Sequence, residues 1–424
     1  MVVLRLGSVG PDVELLQTAL LRSKYYNWVI DGVFGANTQR AVINFQSDNR
    51  LIVDGVVGAA TWGALNPYLT GYVTRYFQPG DTLSNIARQY NTNVDAIIVA
   101  NPNLVPTNLI SDTPIIIPLS FNVVPVNISF TYNLLMLCID GLKARYPFIQ
   151  VSNIGSSVMG KQLYMLAVGK GRNEVMYNAS HHANEWITTP VLMRFIELYA
   201  CIYAGLDIPM LSCVATEMYN KSTIHFIPMV NPDGVDLVTG AIPPGSSAYE
   251  NARTMNYLGL PFPSGWKANI RGVDLNVNYP ATREIAREIK FSQGYVRPGP
   301  RDYVGPSPLS EPESQAMVSF TRSKNFSLTL SYHTQGEVIY WRYLDFLPPR
   351  SDEIAKLLSR ASGYIYEETP WDSGHAGYKD WFIQEYNRPG YTIECGIGSN
   401  PLPLTQFDKI FRDNIGILAF SALA

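Results

Sequence analysis

From about residue 120 onward, short apolar runs alternate with helical stretches, and no other feature limits the possible folds as tightly. Val175–Tyr177, Ile224–Pro228, Leu328–Ser331 and Tyr391–Ile393 read as strands, and Thr188–Ala204 and Glu311–Ser323 as helices between them. One large α/β domain over residues 120–424 is expected. The Pro/Gly-rich stretch 241–264 reads as a weakly structured loop over one face of it.

A chain of 424 residues exceeds one ordinary core, so two to three domains are expected. The first segment, residues 1–68, holds an internal echo. Asp31-Gly32-Val33-Phe34-Gly35-Ala36-Asn37-Thr38 recurs 23 residues later as Asp54-Gly55-Val56-Val57-Gly58-Ala59-Ala60-Thr61. Each copy reads as a Gly-rich turn followed by a Thr able to cap a helix start. Val13, Leu16 and Leu20 lie at helical spacing over Pro11–Arg22, and Val42 and Phe45 share a face of a second helix, Thr38 to about Asp48. Three short helices around a small core follow, a pattern that resembles the helical peptidoglycan-binding domain of wall hydrolases.

The second segment, residues 70–119, reads strand–helix–helix–strand. Its Pro79-Gly80-Asp81-Thr82-Leu83, Ile86-Ala87, Asn101-Pro102-Asn103 and Ile117-Pro118 stand in the order of a LysM module. That resemblance implies a βααβ fold and a grip on N-acetylglucosamine chains. Two different binders in tandem imply avidity on a polymer.

Hydrophobic residues make up 46% and charged residues 16%, with 26 Tyr and 7 Trp, a composition suited to recognising sugars or peptides. A formal charge of −3 offers nothing to nucleic acid or an acidic membrane, and no apolar run approaches the roughly 20 residues that span a bilayer. Neither partner is expected. Cys138, Cys201, Cys213 and Cys395 are scattered without a CxxC pair and read as buried free thiols. The opening Met-Val-Val-Leu-Arg-Leu-Gly has no basic stretch before an apolar one, so no signal peptide is legible.

Three of the five histidines lie at suggestive places. Ser180-His181-His182-Ala183-Asn184-Glu185 follows a strand and precedes a helix, and His333 closes another strand. Two His and one Glu with an open fourth position make a catalytic zinc shell rather than a structural one. By chemistry alone either His181 or His182 can serve; the His-x-x-Glu spacing belongs to His182. Asn231-Pro232-Asp233-Gly234, Gly272-Val273-Asp274-Leu275-Asn276, Asp380-Trp381 and Thr392-Ile393-Glu394 follow in order.

The whole set over residues 120–424 resembles the zinc carboxypeptidase (funnelin) family. The resemblance implies a mixed-sheet α/β domain and one zinc ion on His182, Glu185 and His333. It implies Glu394 as general base toward the attacking water and proton donor to the leaving amine. It also implies a cation for the oxyanion, Lys267 by alignment with Arg271 as rival. Asn276 falls in the substrate site, and His375 lies in a loop near it. His225 carries no motif and reads as a satisfied strand histidine.

Two departures bear on substrate. Where digestive relatives place an Arg that clamps the terminal carboxylate, this chain has Val277, which cannot form that fork. Lys379 falls at the floor of the specificity pocket and is expected to attract an acidic group after the cut. The family's flexible pocket tyrosine falls near Asp372, leaving Trp371 or Tyr378 to stand in. Diaminopimelate carries a side-chain carboxylate and continues beyond the cut. Ala183–Pro190, Gly265–Ile270 and Gly377–Gln384 resemble the γ-D-glutamyl-L-diamino acid endopeptidase branch, which cuts before that residue. Peptidoglycan glycan chains and stem peptides are the expected partners, and the expected setting is the bacterial wall or its surroundings, spores included. A monomer is expected. The competing readings are an ordinary metallocarboxypeptidase, opposed by Val277, and an inactive wall binder, opposed by the intact His182, Glu185, His333 and Glu394.

Overall fold

Glutamine, not threonine, organises the two echoed turns. Gln17 sits on α1 (Pro11–Arg22) and accepts from the backbone N of Asp31 and Gly32, both at 3.0 Å. Its amide nitrogen lies 2.7 Å from Asp31 Oδ1 and 3.1 Å from both Val33 O and Thr38 Oγ1. Gln46 on α2 (Ala36–Asp48) repeats this with Gly55 N, Asp54 Oδ1, Val56 O and Thr61 Oγ1. The expected Thr caps are therefore corrected. Gly35 and Gly58 cap α2 and α3 (Ala59–Thr70), while Thr38 and Thr61 are buried inside those helices.

The computed structural model describes residues 2–207 and 212–424. These fall into two compact units, Met1–Gln150 with Glu197–Ser212, and Val151–Ile196 with Cys213–Ala424. The first unit holds α1–α3 and the strand–helix–helix–strand segment. In the latter, β1 (Tyr72–Tyr76) pairs antiparallel with β2 (Pro114–Pro118). Between them lie α4 (Leu83–Gln89) and α5 (Val94–Ala100), capped by the Thr82 hydroxyl and the Asn93 amide. Phe77, Ile86, Ile97, Ile115 and Ile117 fill its core.

The sequence boundary near residue 120 differs from the boundary of packing. Arg22 donates to Asn122 O (2.8 Å) and Val123 O (3.1 Å), and Glu14 accepts from Ser129 N at 2.8 Å. The helix Tyr132–Arg145 packs on α3, and Gly141 is required at the contact: a Cβ there would stand 2.0 Å from Thr70 O.

An eight-stranded mixed sheet belongs to the remainder. Its strands are β3 (Gln150–Ser156), β4 (Gln162–Gly169), β5 (Asn173–Ala179), β6 (Ser222–Ile227), β7 (Phe326–His333), β8 (Val338–Arg342), β9 (Ile365–Glu368) and β10 (Gly390–Glu394). They run in the order β3-β4-β6-β5-β7-β10-β8-β9. The four runs expected as strands are the central parallel ones, β6, β5, β7 and β10, buried along most of their length as both-face-covered strands must be. Their carboxyl ends lie together, where ligand sites of such sheets form.

The stretch 241–264 is not without structure. A helix Ser247–Met255, capped by Ser246, buries Ala252 against Leu237 and Trp266. All four cysteines are free, but only Cys138 and Cys395 are buried; Cys213 is exposed. Among the described residues no helix is long and apolar enough to cross a membrane.

Candidate metal centre

β5 ends in a sharp reversal. Ser180 takes left-handed backbone (φ 54), stabilised where its N–H donates to Thr188 Oγ1 at 3.2 Å and its hydroxyl meets Thr189 Oγ1 at 2.8 Å. The turn aims His181 and His182 differently. His181 Nε2 meets the Tyr279 hydroxyl at 2.9 Å inside the core, and burial drives its ring well below the usual imidazole range. His182 leads into a short 3-10 turn, Ala183–Glu185, which carries Glu185 to the same spot. Of the two histidines, His182 is the one that faces Glu185 and His333.

Register supplies the other two groups. β7 and β10 run parallel with Glu394 opposite His333, so the strand ends deliver a histidine and a carboxylate side by side. His182 Nδ1 lies 2.9 Å from Glu185 Oε1, His333 Nδ1 lies 2.9 Å from Glu185 Oε2, and the two ring nitrogens are 3.1 Å apart. Three buried lone-pair donors face one point. A proton shared between two of them leaves the third unsatisfied, whereas a cation satisfies all three, so the donor set fits a metal ion. The set, two nitrogens and one carboxylate, suits zinc.

Surrounding groups hold these ligands. Asp274 Oδ1 lies 3.2 Å from His182 Nε2, fixing the ring so that Nδ1 points at the site. Asn231 Nδ2 donates to His181 O and Ala268 O, and Ala183 N donates to Lys267 O, clamping the ligand turn to the Lys267 segment. Lys267 Nζ stands 3.2 Å from Glu185 Oε1. Burial disfavours an ionised Glu185, yet His182 and Lys267 outweigh it and hold the carboxyl well below its usual range. Glu394 behaves oppositely: burial and the Glu185 charge push it up to about 8.

Residues 136–415 match the family described as zinc carboxypeptidase. The chain belongs to the zinc carboxypeptidase family. Residues 9–65 match a putative peptidoglycan binding domain and residues 77–118 a LysM domain. Gamma-D-glutamyl-L-diamino acid endopeptidase 1 of Lysinibacillus sphaericus is 43% identical over 290 residues, 68% of this chain and 71% of that one. The spore cortex-lytic enzyme of Bacillus subtilis (strain 168) is 40% identical over 90 residues, 20% of this chain and 30% of that one. Bovine thrombin-activatable fibrinolysis inhibitor aligns with TM-score 0.52 at 19% identity, covering 70% of this chain and 96% of that one, which establishes a shared fold.

In this zinc carboxypeptidase a cavity of about 200 Å³ opens beside the ligands, lined by Lys267, Asn276, Lys379 and Glu394 among others. Four residues expected at the site thus meet there. Lys379 is less free than its charge implies: its ammonium donates to Arg342 O (2.8 Å) and Thr369 Oγ1 (2.9 Å) and pairs with Asp380 at 2.8 Å. Arg271 is not among them. It lines a separate surface cavity, 3.7 Å from Glu311, so Lys267 is the cation beside the ligands. His375 lines a third cavity with Trp371 and Arg342, its Nδ1 bonded to Thr282 Oγ1. The substrate-binding expectation for Tyr378 is corrected: the ring is 0% exposed among Tyr279, Trp381 and Phe382, and its hydroxyl meets Thr321 Oγ1 at 2.8 Å. His225 Nε2 pairs with Glu174 at 3.1 Å while its buried Nδ1 meets no partner among the described residues, so the strand histidine expected to be satisfied is so on one side only. Sequence reasoning missed the roles of Asn231 and Asp274, although their motifs were in view.

Proposed function

We propose that this zinc carboxypeptidase family member hydrolyses the bond between γ-D-glutamate and diaminopimelate in peptidoglycan stem peptides, with one zinc ion held by His182, Glu185 and His333. Likeness across most of the chain to a relative named for γ-D-glutamyl-L-diamino acid cleavage carries the choice of bond. Val277 agrees with it: buried and apolar, it offers no fork for a terminal carboxylate.

Bound zinc supplies Lewis acidity toward the scissile carbonyl and acidifies water. Glu394 faces the cavity beside His333, placed to take a proton from the attacking water and return it to the leaving amine. Lys267 stays charged, because Glu185 and Asp274 overcome its burial, and stabilises the negative charge that develops on the carbonyl oxygen. Asn276 lines the cavity and orients substrate, its Oδ1 fixed by Tyr378 N at 3.2 Å. Lys379 lies at the far wall, and it meets the carboxylate of the diaminopimelate side chain by exchanging one of its present partners, Asp380, Arg342 O or Thr369 Oγ1.

We assign residues 1–68 and 70–119 to wall binding and residues 120–424 to catalysis, in a monomer at the bacterial wall or secreted into its surroundings. The likeness to a spore cortex-lytic enzyme supports spores as one setting. Mass spectrometry of L-Ala-γ-D-Glu-meso-diaminopimelate after incubation with zinc-loaded protein tests the reading. L-Ala-D-Glu and free diaminopimelate, abolished by a chelator, are expected. An intact tripeptide beside trimming of an ordinary peptide's C-terminus would replace this reading with plain carboxypeptidase action.

A further inference from the structure

Arg301 belongs to no motif, yet it lines the cavity with Glu394, Lys267 and Lys379. Its Nε lies 2.6 Å from Asp302 Oδ2, while among the described residues its two Nη atoms carry no hydrogen bond. The other oxygen of Asp302 takes Lys290 Nζ at 2.8 Å, so two cations share that one carboxylate.

The loop that carries Arg301 is fixed to the catalytic frame. Pro300 O accepts from Lys267 N (2.8 Å) and Ala268 N (2.9 Å), and Asp302 N donates to Asp274 Oδ2 (3.0 Å), the same carboxylate that holds His182. Sheet order then separates the two exploitable cations. Through Lys267, Ala268 and Asn231 the Arg301 loop is tied to the ends of β5 and β6. Lys379 is tied to Arg342 and to Thr369, which lie toward the amino end of β10, because β8 runs antiparallel to it with Val338 opposite Glu394. His333 and Glu394 lie between, at the ends of β7 and β10, with His182 and Glu185 on the turn that follows β5. The cavity runs from Glu394 past Thr392 and Tyr340 down to Thr369 and Lys379, so a leaving-side residue that reaches down to Lys379 leaves Arg301, tied to the β5 and β6 ends, on the other side of the cut.

We propose that Arg301 binds the free α-carboxylate of the γ-linked glutamate, on the acyl side of the scissile bond. This rests on the reading above, with Lys379 on the leaving side. A γ-linkage spends the side-chain carboxyl on the amide and leaves the main-chain carboxylate free, a charged group that an ordinary α-linked residue lacks at that place. A guanidinium pinned through Nε presents its remaining N–H groups as a planar fork suited to a carboxylate. Arg301 thus supplies, from a different loop and for a different carboxylate, the kind of recognition lost at Val277.

Full-length zinc-loaded protein is assayed on L-Ala-γ-D-Glu-meso-diaminopimelate and on the same peptide with the glutamate α-carboxylate converted to a carboxamide. The wild type is expected to favour the acid by about 10–100-fold in kcat/KM. Arg301→Ala should erase that preference by losing the acid, leaving turnover of the amide peptide within about twofold, and Arg301→Lys should recover part of it. Equal cleavage of both peptides by the wild type, or an equal fall on both in Arg301→Ala, overturns the proposal. Cleavage of neither by the wild type, beside trimming of an ordinary peptide, sinks the bond assignment and this inference with it.

Discussion

Glu394 and His182 make the metal-free site sensitive to alkali. Burial and the Glu185 charge push Glu394 up to about 8, against an unfolded value near 4.5. The His182 ring resists charge through burial, but Glu185 raises it to about 9 from 6.5. Both folded values lie above the unfolded ones, so each contributes stability at lower pH that is lost as pH rises through the folded value. In a chelator, the melting temperature is expected to fall between about pH 7 and 9, and zinc is expected to remove that fall; a flat chelated profile would contradict these shifts. Glu394→Gln should retain zinc, measured by metal analysis, and lose about 10²–10⁴-fold in kcat. The ligands were legible because His-x-x-Glu and a strand-ending His leave few alternatives. Arg301 was not, since Pro-Gly-Pro-Arg names a turn and gives no sign of which cavity the turn borders. Tyr378 misled for a related reason: an aromatic beside a site motif can point its ring to either side, and only packing decides.

At the level of elements, apolar runs identified the central strands because a strand buried on both faces has little choice of composition. Helix starts were read less well. Thr38 and Thr61 had the right chemistry for caps, but the partners that claim their hydroxyls, Gln17 and Gln46, lie in a preceding helix and are invisible to local reading. The helix Ser247–Met255 was hidden by the prolines and glycines around it. Gly141 shows how context reverses propensity. Alanine in place of a helical glycine usually stabilises by about 0.5–1 kcal/mol. Here the added Cβ would meet Thr70 O at 2.0 Å, so Gly141→Ala is expected to destabilise by at least about 1–3 kcal/mol, read from urea unfolding.

For the whole molecule, wall affinity and peptide chemistry are expected to vary independently. Ile110 is 63% exposed on a cavity of the LysM segment that Asn103 and Asn108 also line. Ile110→Glu should weaken retention on insoluble peptidoglycan by about tenfold or more, since avidity multiplies the affinities of linked modules, while kcat/KM on a soluble tripeptide stays unchanged. A matching loss on the soluble peptide would mean that the two activities are not separable. The bonds from Arg22 to Asn122 and Val123, and from Glu14 to Ser129, carry a consequence for ancestry. Modules joined by a loose tether can be exchanged between genes by recombination at the tether. Here a crossover near residue 120 would strip Asn122 and Val123 from Arg22 and Ser129 from Glu14 at once, so exchange at that point is disfavoured.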